Sequence, residues 1–457
     1  MSRASITVRR AVGDAEADAA GELTARAYRT DRLVEPDDTY LDELLDARRR
    51  AREATLLVAT VPGASGDVVV GTITMAPAGT SYAETAEPGE LELRMLAVAP
   101  EARGQGVAEA LVRATFREAA VLGHRTLVLS TLDSMAAAQR LYHRLGWTRV
   151  PERDWGHVEI HLRVYTWRAP AAPGPLVERA TWPPLRVERV AGFELGMSEG
   201  LTRRANCAVL TDGAWEELDG QGAEGAAAVD AADLDRRLAS VEACFALAGL
   251  TPCVRVDLPS PSGSRPPTPA ERVLTERGYR DVGDTLVLVR DLEAPAAGEP
   301  EEIGTDVRVE VADRPDEPWL ALWGGDRAIE RTAGAAILTG VPALYVSVVR
   351  DGEVAGVIRV CVVGARGADR TAARAWAGLS CLTVAPGHRG QGLAALLVRR
   401  ALAEARAVGA SHAFSQVLAH NHAAVTLHER LGFAVARAYR YAEPDVARVP
   451  EALRGPH

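Results

Sequence analysis

One fifteen-residue stretch occurs twice in this chain and constrains what the rest can be. Residues 98–112 read VAPEARGQGVAEALV and residues 384–398 read VAPGHRGQGLAALLV. In each copy an apolar strand runs into a proline, Pro100 or Pro386, then turns through Arg-Gly-Gln-Gly and enters a helix rich in Ala and Leu. Such a turn leaves several backbone N–H groups without helical partners. Together with the positive end of the helix dipole they form an anion site of phosphate size. Gly104 and Gly106, and Gly390 and Gly392, let the backbone approach a ligand with no Cβ in the way.

The duplication is wider than the loop. Arg103 and Arg389, Gly123 and Gly409, and Gly146 and Gly432 are each 286 residues apart, and Gly71 and Gly356, each inside a Val-rich run, are 285 apart. A constant offset over this span means two copies of one unit.

These residues carry a family resemblance. Arg103 to Ala108 (RGQGVA) and Arg389 to Ala394 (RGQGLA) resemble the R-x-x-G-x-A/G signature of the GNAT acyltransferase superfamily. Leu141 to Trp147 (LYHRLGW) and Leu427 to Phe433 (LHERLGF) follow at the distance the family shows. A lone glycine turn is a weak signal, whereas strand, turn, helix, second strand and closing Leu-Gly-aromatic, in order and twice, is a strong one. The resemblance implies an α/β fold of GNAT-like units, each a mixed, mostly antiparallel sheet flanked by helices, with acetyl-CoA as acyl donor.

A chain of 457 residues is too long for one core, so two to four domains are expected. Two Pro-rich stretches divide it. The expected layout is a first GNAT-like domain at 1–168, a linker at 169–184, a degenerate GNAT-like domain at 185–292, a linker at 293–305, and a last GNAT-like domain at 306–445. The middle segment has no Arg-Gly-Gln-Gly loop, but LTERGY (274–279) followed by TLVLV (285–289) parallels the endings of the other two. With LTRRAN (201–206) and residues 240–252 it resembles the degenerate half of a bacterial tandem GNAT protein.

Hydrophobic content of 47% and charged content of 25% are ordinary for a soluble globular protein. A formal charge of −10 argues against a nucleic-acid partner and is compatible with a cationic substrate. Cys207, Cys244, Cys253, Cys361 and Cys381 have no paired spacing, which suits a reducing cytoplasm and neither a disulfide framework nor a zinc site. The first ten residues lack the apolar core of a signal peptide, and no apolar run approaches a membrane span. A monomer or homodimer is expected.

Moving an acetyl group from a thioester to an amine needs the pyrophosphate anchored, the carbonyl held, a proton taken from the ammonium and a proton supplied to the leaving thiolate. The loops Arg103, Gly104, Gln105, Gly106, Val107, Ala108 and Arg389, Gly390, Gln391, Gly392, Leu393, Ala394 are the anchors. The resemblance implies that the carbonyl and pantetheine arm lie along the strand before each loop, at Met95, Leu96, Ala97 and Val98 and at Cys381, Leu382, Thr383 and Val384. It also places the acid at Tyr142, where the last unit has His428, an imidazole that donates instead when protonated. The asparagine that contacts the CoA arm in the family is present as Asn421, where the first unit has Met135. Each copy thus lacks one element of the pattern.

Glu92, with Glu90 just outside it, is the candidate base of the first unit, a solvated strand-end carboxylate being the alternative. The last unit has only Ser380, Cys381 and Thr383 on that strand, leaving water or the polar cluster Arg203, Arg204 and Asn206 of the middle segment. Those arginines otherwise pair with acids or cap a turn. His420, His422 and His428 lack cysteine or acid support for a metal, and the family pattern already accounts for them, so no metal is expected. The reading is an N-acyltransferase, most simply an acetyltransferase acting on a small-molecule amine. Two alternatives stay open, a non-catalytic acyl-CoA sensor or scaffold, and a tandem enzyme acetylating a low-molecular-weight thiol precursor or a peptide amine.

Overall fold

The computed structural model describes residues 6–35, 37–64, 66–157, 160–211, 231–257, 268–294, 307–324, 331–364 and 375–445. These fall into two compact units, one ending at Ala169 and one beginning at Pro170.

The first unit runs β1 (Thr7–Arg10), α1 (Gly13–Thr30), α2 (Tyr40–Leu45), α3 (Ala47–Glu53), β2 (Thr55–Gly63), β3 (Gly66–Pro77), β4 (Glu90–Val98), α4 (Val107–Val121), β5 (Thr126–Leu132), α5 (Ala136–Arg144), β6 (Thr148–Arg149), β7 (Trp155–His157) and β8 (Ile160–Arg168). Its sheet has the order β1-β2-β3-β4-β5-β8-β6, with β7 paired to β8. All neighbours are antiparallel except β4 and β5. Leu111 and Val112 of α4 join Ile73, Leu91 and Leu127 in the main core. Leu41 and Leu44 of α2 pack with Ala76 and Met95 in a second cluster. Gly71 makes the approach of α4 possible, since a Cβ there would stand 2.7 Å from Val107 Cγ1. Gly356 does the same in the second unit, where a Cβ would stand 2.9 Å from a Leu397 methyl.

The second unit starts with α6 (Pro175–Ala180), β9 (Arg186–Val190), β10 (Phe193–Met197), β11 (Ala208–Leu210), α7 (Ala231–Leu247), β12 (Val254–Val256), α8 (Pro269–Glu276) and β13 (Tyr279–Asp291). It continues with β14 (Val307–Ala312), α9 (Glu317–Gly324), α10 (Arg331–Thr339), β15 (Leu344–Arg350), β16 (Glu353–Val363), β17 (Trp376–Val384), α11 (Leu393–Ala407), β18 (His412–Leu418), α12 (His422–Arg430) and β19 (Ala434–Pro444). One sheet holds all of its described strands, in the order β14-β15-β16-β17-β18-β13-β19-β12-β11-β10-β9.

That order corrects the expectation of separate middle and last units. After α8 the chain is expected to close the middle unit, but β13 instead pairs with β18, from Thr285↔Leu418 to Asp291↔His412. Reciprocally β19, which follows α12, pairs with β12. The two strands also pair with each other. Each half gives its last strand to the other. The middle half keeps the parallel central pair, β11 with β12, that β4 with β5 forms in the first unit and β17 with β18 in the last. Its GNAT-like character is visible in this order, and what it lacks is an independent sheet.

Residues 169–184, whose composition marks them as a linker, carry α6 and bury Glu178 to 1% exposure, because its charge finds partners on the sheet. The second expected linker lies almost wholly outside the described residues.

Candidate active site

The two copies of the loop have the same backbone. A short turn at Pro100–Ala102 leads to Arg103 (φ −66°, ψ 153°), Gly104 (φ 73°), Gly106 (φ 90°) and α4. The turn at Pro386–His388 leads to Arg389 (φ −69°, ψ 155°), Gly390 (φ 73°), Gly392 (φ 80°) and α11. Positive φ at these positions favours glycine on steric grounds. Neither Gly106 nor Gly392 supplies a side-chain cap. The first helical bonds that return to them come from Ala110 and Leu396. The N–H groups of the opening turns therefore face outward. A Cβ placed on Gly104, Gly106 or Gly390 would meet nothing within 4 Å, so the space above each loop is open. Donors, dipole and room together fit a pyrophosphate.

The strand before each loop carries a second shared feature. Met95 and Leu96 stand opposite Ile73 alone, and Cys381 and Leu382 opposite Ile358 alone, so β4 and β17 are bulged at the same place. Met95 has φ 53° and Cys381 φ 61°, left-handed values for side-chain-bearing residues. Beyond Leu93, β4 no longer pairs with β5, and beyond Leu379, β17 no longer pairs with β18. Each pair of parallel strands thus splays open at its bulge. Backbone groups from Met95 to Val98 and from Cys381 to Val384 are re-aimed where one neighbouring strand has departed.

Loop side chains differ between the copies. Gln105 and Gln391 both turn back, their amides donating to Glu101 O (3.1 Å) and Gly387 O (3.2 Å). Arg103 forms a bidentate pair with Asp31 at 2.7 and 3.0 Å, whereas Arg389 Nε donates to Val384 O at 3.2 Å.

Tyr142 lies on α5, buried against Trp147 (centroids 5.8 Å apart) and Tyr165 (6.0 Å). Burial, helped by the Tyr165 phenol, raises its pKa above the ordinary phenol range, so it keeps its proton. Its hydroxyl has no hydrogen-bond partner among the described residues.

His428 takes the same place on α12, packed edge-on to Phe433 at 5.0 Å. Its Nδ1 lies 2.8 Å from Ala424 O, and a carbonyl only accepts, so Nδ1 carries the proton. Burial lowers its pKa, offset in part by that hydrogen bond. The neutral ring presents a lone pair at Nε2. It is not the imidazolium donor expected from the sequence.

Glu92 also departs from expectation. Its side chain is fully buried, and its oxygens accept from the N–H groups of Glu84 (2.8 Å), Thr85 (2.7 Å) and Ala86 (3.0 Å) and from Thr85 Oγ1 (3.0 Å). Those bonds engage both oxygens and hold the loop before β4 in place. Glu90 is likewise engaged, in a bidentate pair with Arg153 at 3.0 and 2.8 Å. Neither is the solvated carboxylate that a strand end would present.

In the last unit Asn421 caps α12, its Oδ1 accepting from Ala424 N at 3.1 Å. Burial pushes the Cys381 thiol up to about 12, which leaves it un-ionised. The Arg203, Arg204 and Asn206 cluster is structural. Arg203 pairs with Glu443 (2.6 Å), Arg204 lies over the Trp182 ring, and Asn206 Oδ1 accepts from Ser198 and Gly200 N–H.

The sequence reading missed Arg94 beside the bulge, whose guanidinium meets Glu84, Tyr82 O and Tyr40. It also missed the charge cluster of buried Glu178 and Arg255 with half-buried Asp257 and Arg437. A lone arginine inside the apolar run of β4 was the available signal for the first.

Comparison with known proteins accords with this geometry. The family described as "Probable histone acetyltransferase Rv0428c C-terminal" matches residues 177–442, more than half of the chain, and "Acetyltransferase (GNAT) family" matches 19–147. N-acetyltransferase 8B of Homo sapiens is 32% identical over 112 residues, 24% of this chain and 48% of that protein. The chain thus spans about half the length of this curated relative. Among solved structures, a GCN5-related N-acetyltransferase from Kribbella flavida aligns at 17% identity over 59% of this chain and 93% of its own, with a TM-score of 0.42. The yncA protein of Salmonella typhimurium, solved with its cofactor acetyl-CoA, aligns at 23% identity over 37% of this chain and 98% of its own, with a TM-score of 0.30. With one family model spanning both interlocked halves and the other the first unit, this chain belongs to the Rv0428c-like family of GNAT acetyltransferases.

Proposed function

We propose that this protein is an N-acetyltransferase that takes an acetyl group from acetyl-CoA and passes it to a primary amine of a small molecule, with the first unit as catalyst. The observation that carries the reading is the coincidence, in one unit, of an uncapped loop and helix, a bulged strand beside an opening, and a phenol that holds its proton. Acetyl-CoA, when bound, supplies the activated acyl group and a thiolate leaving group. Backbone N–H groups from Gly104 to Ala108 hold the pyrophosphate, and the re-aimed backbone of Met95 to Val98 receives the acyl arm and orients its carbonyl. Tyr142 donates its O–H toward the departing sulfur. With Glu92 and Glu90 engaged, the amine proton passes to water. A cytoplasmic setting, with the five cysteines as free thiols, belongs to the same reading, as does a monomer or homodimer. No described helix is long and apolar enough to cross a membrane.

For the last unit a second reading has its own support. The loop and bulge are intact, but the ring of His428 is neutral with its one proton committed to Ala424. This unit binds acyl-CoA without an acid to complete the transfer, and so acts as a binding or regulatory copy.

Titration of the full chain with acetyl-CoA by calorimetry, with Gly106→Glu and Gly392→Glu blocking each loop in turn, tests both readings. Two sites, each lost with its own substitution, together with CoA thiol release that only Gly106→Glu abolishes, are expected. No binding at all would sink the proposal.

A further inference from the structure

Arg94 is a charge on a central strand, one residue before the bulge that marks the acyl position of the first unit. Its side chain is 11% exposed. Nη1 donates to Tyr82 O at 3.0 Å and meets Glu84 Oε1 at 2.9 Å, while Nη2 lies 3.3 Å from the Tyr40 hydroxyl. The Tyr40 ring stands 6.4 Å from that of Tyr28. Tyr28 in turn packs both on the cluster that contains Met95 and on the one that contains Ala97 and Tyr142. Tyr40 and Tyr28 therefore link the guanidinium to the core cluster that contains the proposed acid.

The partner of this guanidinium is unevenly matched to it. Glu84 is 43% exposed, and its carboxylate sits on a loop fixed at its root by the hydrogen bonds of Glu92. A guanidinium this buried keeps a carboxylate beside it because an unpaired buried charge is costly. An exposed glutamate arm is a partner that another carboxylate can replace, and the planar fork of arginine suits a carboxylate presented by a ligand. In the last unit the equivalent position is Ser380, and the buried guanidinium there belongs to the neighbouring strand, where Arg359 stands opposite Ser380 and donates to Leu338 O and Thr181 O.

We propose that Arg94 reads a carboxylate on the acceptor, so that the amine acetylated by the first unit is one that carries an acid group, as an amino acid does, and that Glu84 is the internal stand-in this carboxylate displaces. The inference rests on the first unit being the catalyst. It assigns opposite effects to the two partners. Removing Arg94 weakens acid-bearing acceptors, and removing Glu84 frees the fork for them.

The test uses the full chain with acetyl-CoA and matched pairs of amino acids and their decarboxylated amines, namely tyrosine and tyramine, histidine and histamine, and arginine and agmatine, followed by CoA thiol release. Within at least one pair the acid-bearing member is expected to be preferred in kcat/KM. Arg94→Ser should erase that preference by raising KM at least about tenfold, the size of one charge-assisted hydrogen bond. Glu84→Ala, which leaves Arg94 in place, should lower KM for the same acceptor. Acetyl-CoA binding, measured by calorimetry in each variant, stays as in the native chain. Loss of that binding from the native first-unit loop would overturn the enzyme reading itself. Intact binding with no preference for the acid in any pair, or a preference that survives Arg94→Ser, overturns the assignment of Arg94. A merely structural Arg94 would lower the unfolding midpoint in both variants and leave the ratio within each pair unchanged.

Discussion

Tyr142 and His428 stand at the same point of the two loop-bearing copies, each packed against the aromatic that closes its helix, Trp147 at 5.8 Å and Phe433 at 5.0 Å. They differ in the proton they hold. The phenol keeps an O–H with no partner among the described residues, whereas the imidazole has its Nδ1 proton on Ala424 O and a bare Nε2. Tyr142→Phe preserves the ring contacts and removes only the donor. It should lower kcat at least about tenfold, roughly 1.4 kcal/mol of barrier, with acetyl-CoA affinity unchanged. Unchanged turnover in a CoA-release assay would remove the acid role from Tyr142.

The same difference gives His428 a pH signature in stability. Burial holds its folded pKa below the ordinary 6.5, so in the window just beneath 6.5 the unfolded chain binds a proton that the folded chain does not. Stability of the second unit should therefore fall as pH is lowered through 6.5 toward the folded value. This single group sets a slope of at most about 1.4 kcal/mol per pH unit. His428→Gln should flatten the urea-midpoint profile between pH 7.5 and 5 by that group's share. A profile parallel to that of the native chain would mean the ring is not held neutral.

The sequence showed the loops because their requirements are local. Positive φ at Gly104, Gly106, Gly390 and Gly392, a proline before the turn and an Ala-rich helix after it are written in consecutive residues. Glu92 was misread because its partners, the N–H groups of residues 84–86, belong to a loop whose path no motif announces. The exchange of β13 and β19 was hidden for a similar reason. An apolar run marks a strand but does not say which of two adjacent openings it fills. The bulges at Met95 and Cys381 left no sequence signal either, since neither is a glycine.

Charge buried in α6 gives a stability test for the residues whose composition suggests a linker. Glu178, 1% exposed, meets Arg255 at 2.8 Å and accepts from Gln416 Nε2 at 2.5 Å, and it also pairs with Arg437. Arg255 lies 3.7 Å above the centre of the Tyr439 ring, and Asp257 balances the second arginine. Glu178→Ala would leave two arginines sharing one acid inside the unit. A loss of about 3–5 kcal/mol is expected from urea unfolding, with less from Glu178→Gln, which removes the charge but keeps the shape. A loss under about 1 kcal/mol would mean that α6 is docked loosely and the group is solvated.

Strand exchange predicts which pieces of the chain fold alone. In the second unit β13 fills the place between β18 and β19, so residues 306–457 on their own would present two long strand edges with the intervening strand missing. Their hydrophobic partners go with it. Val287 and Val289 of β13 share a core cluster with Phe414, Ala436 and Tyr439. The fragment 306–457 should therefore aggregate or lack a cooperative transition. Residues 170–457 should unfold cooperatively, and residues 1–169, whose sheet draws its described strands from that segment alone, should do so as well. Circular dichroism and urea titration of the three fragments decide the point. If 306–457 folds with a sharp transition, its sheet closes without β13, and the interlocked halves would have to be read as two domains that merely touch. If mixing it with a 170–305 fragment restores the transition that neither piece has alone, the exchange of last strands is what makes the two halves one folding unit.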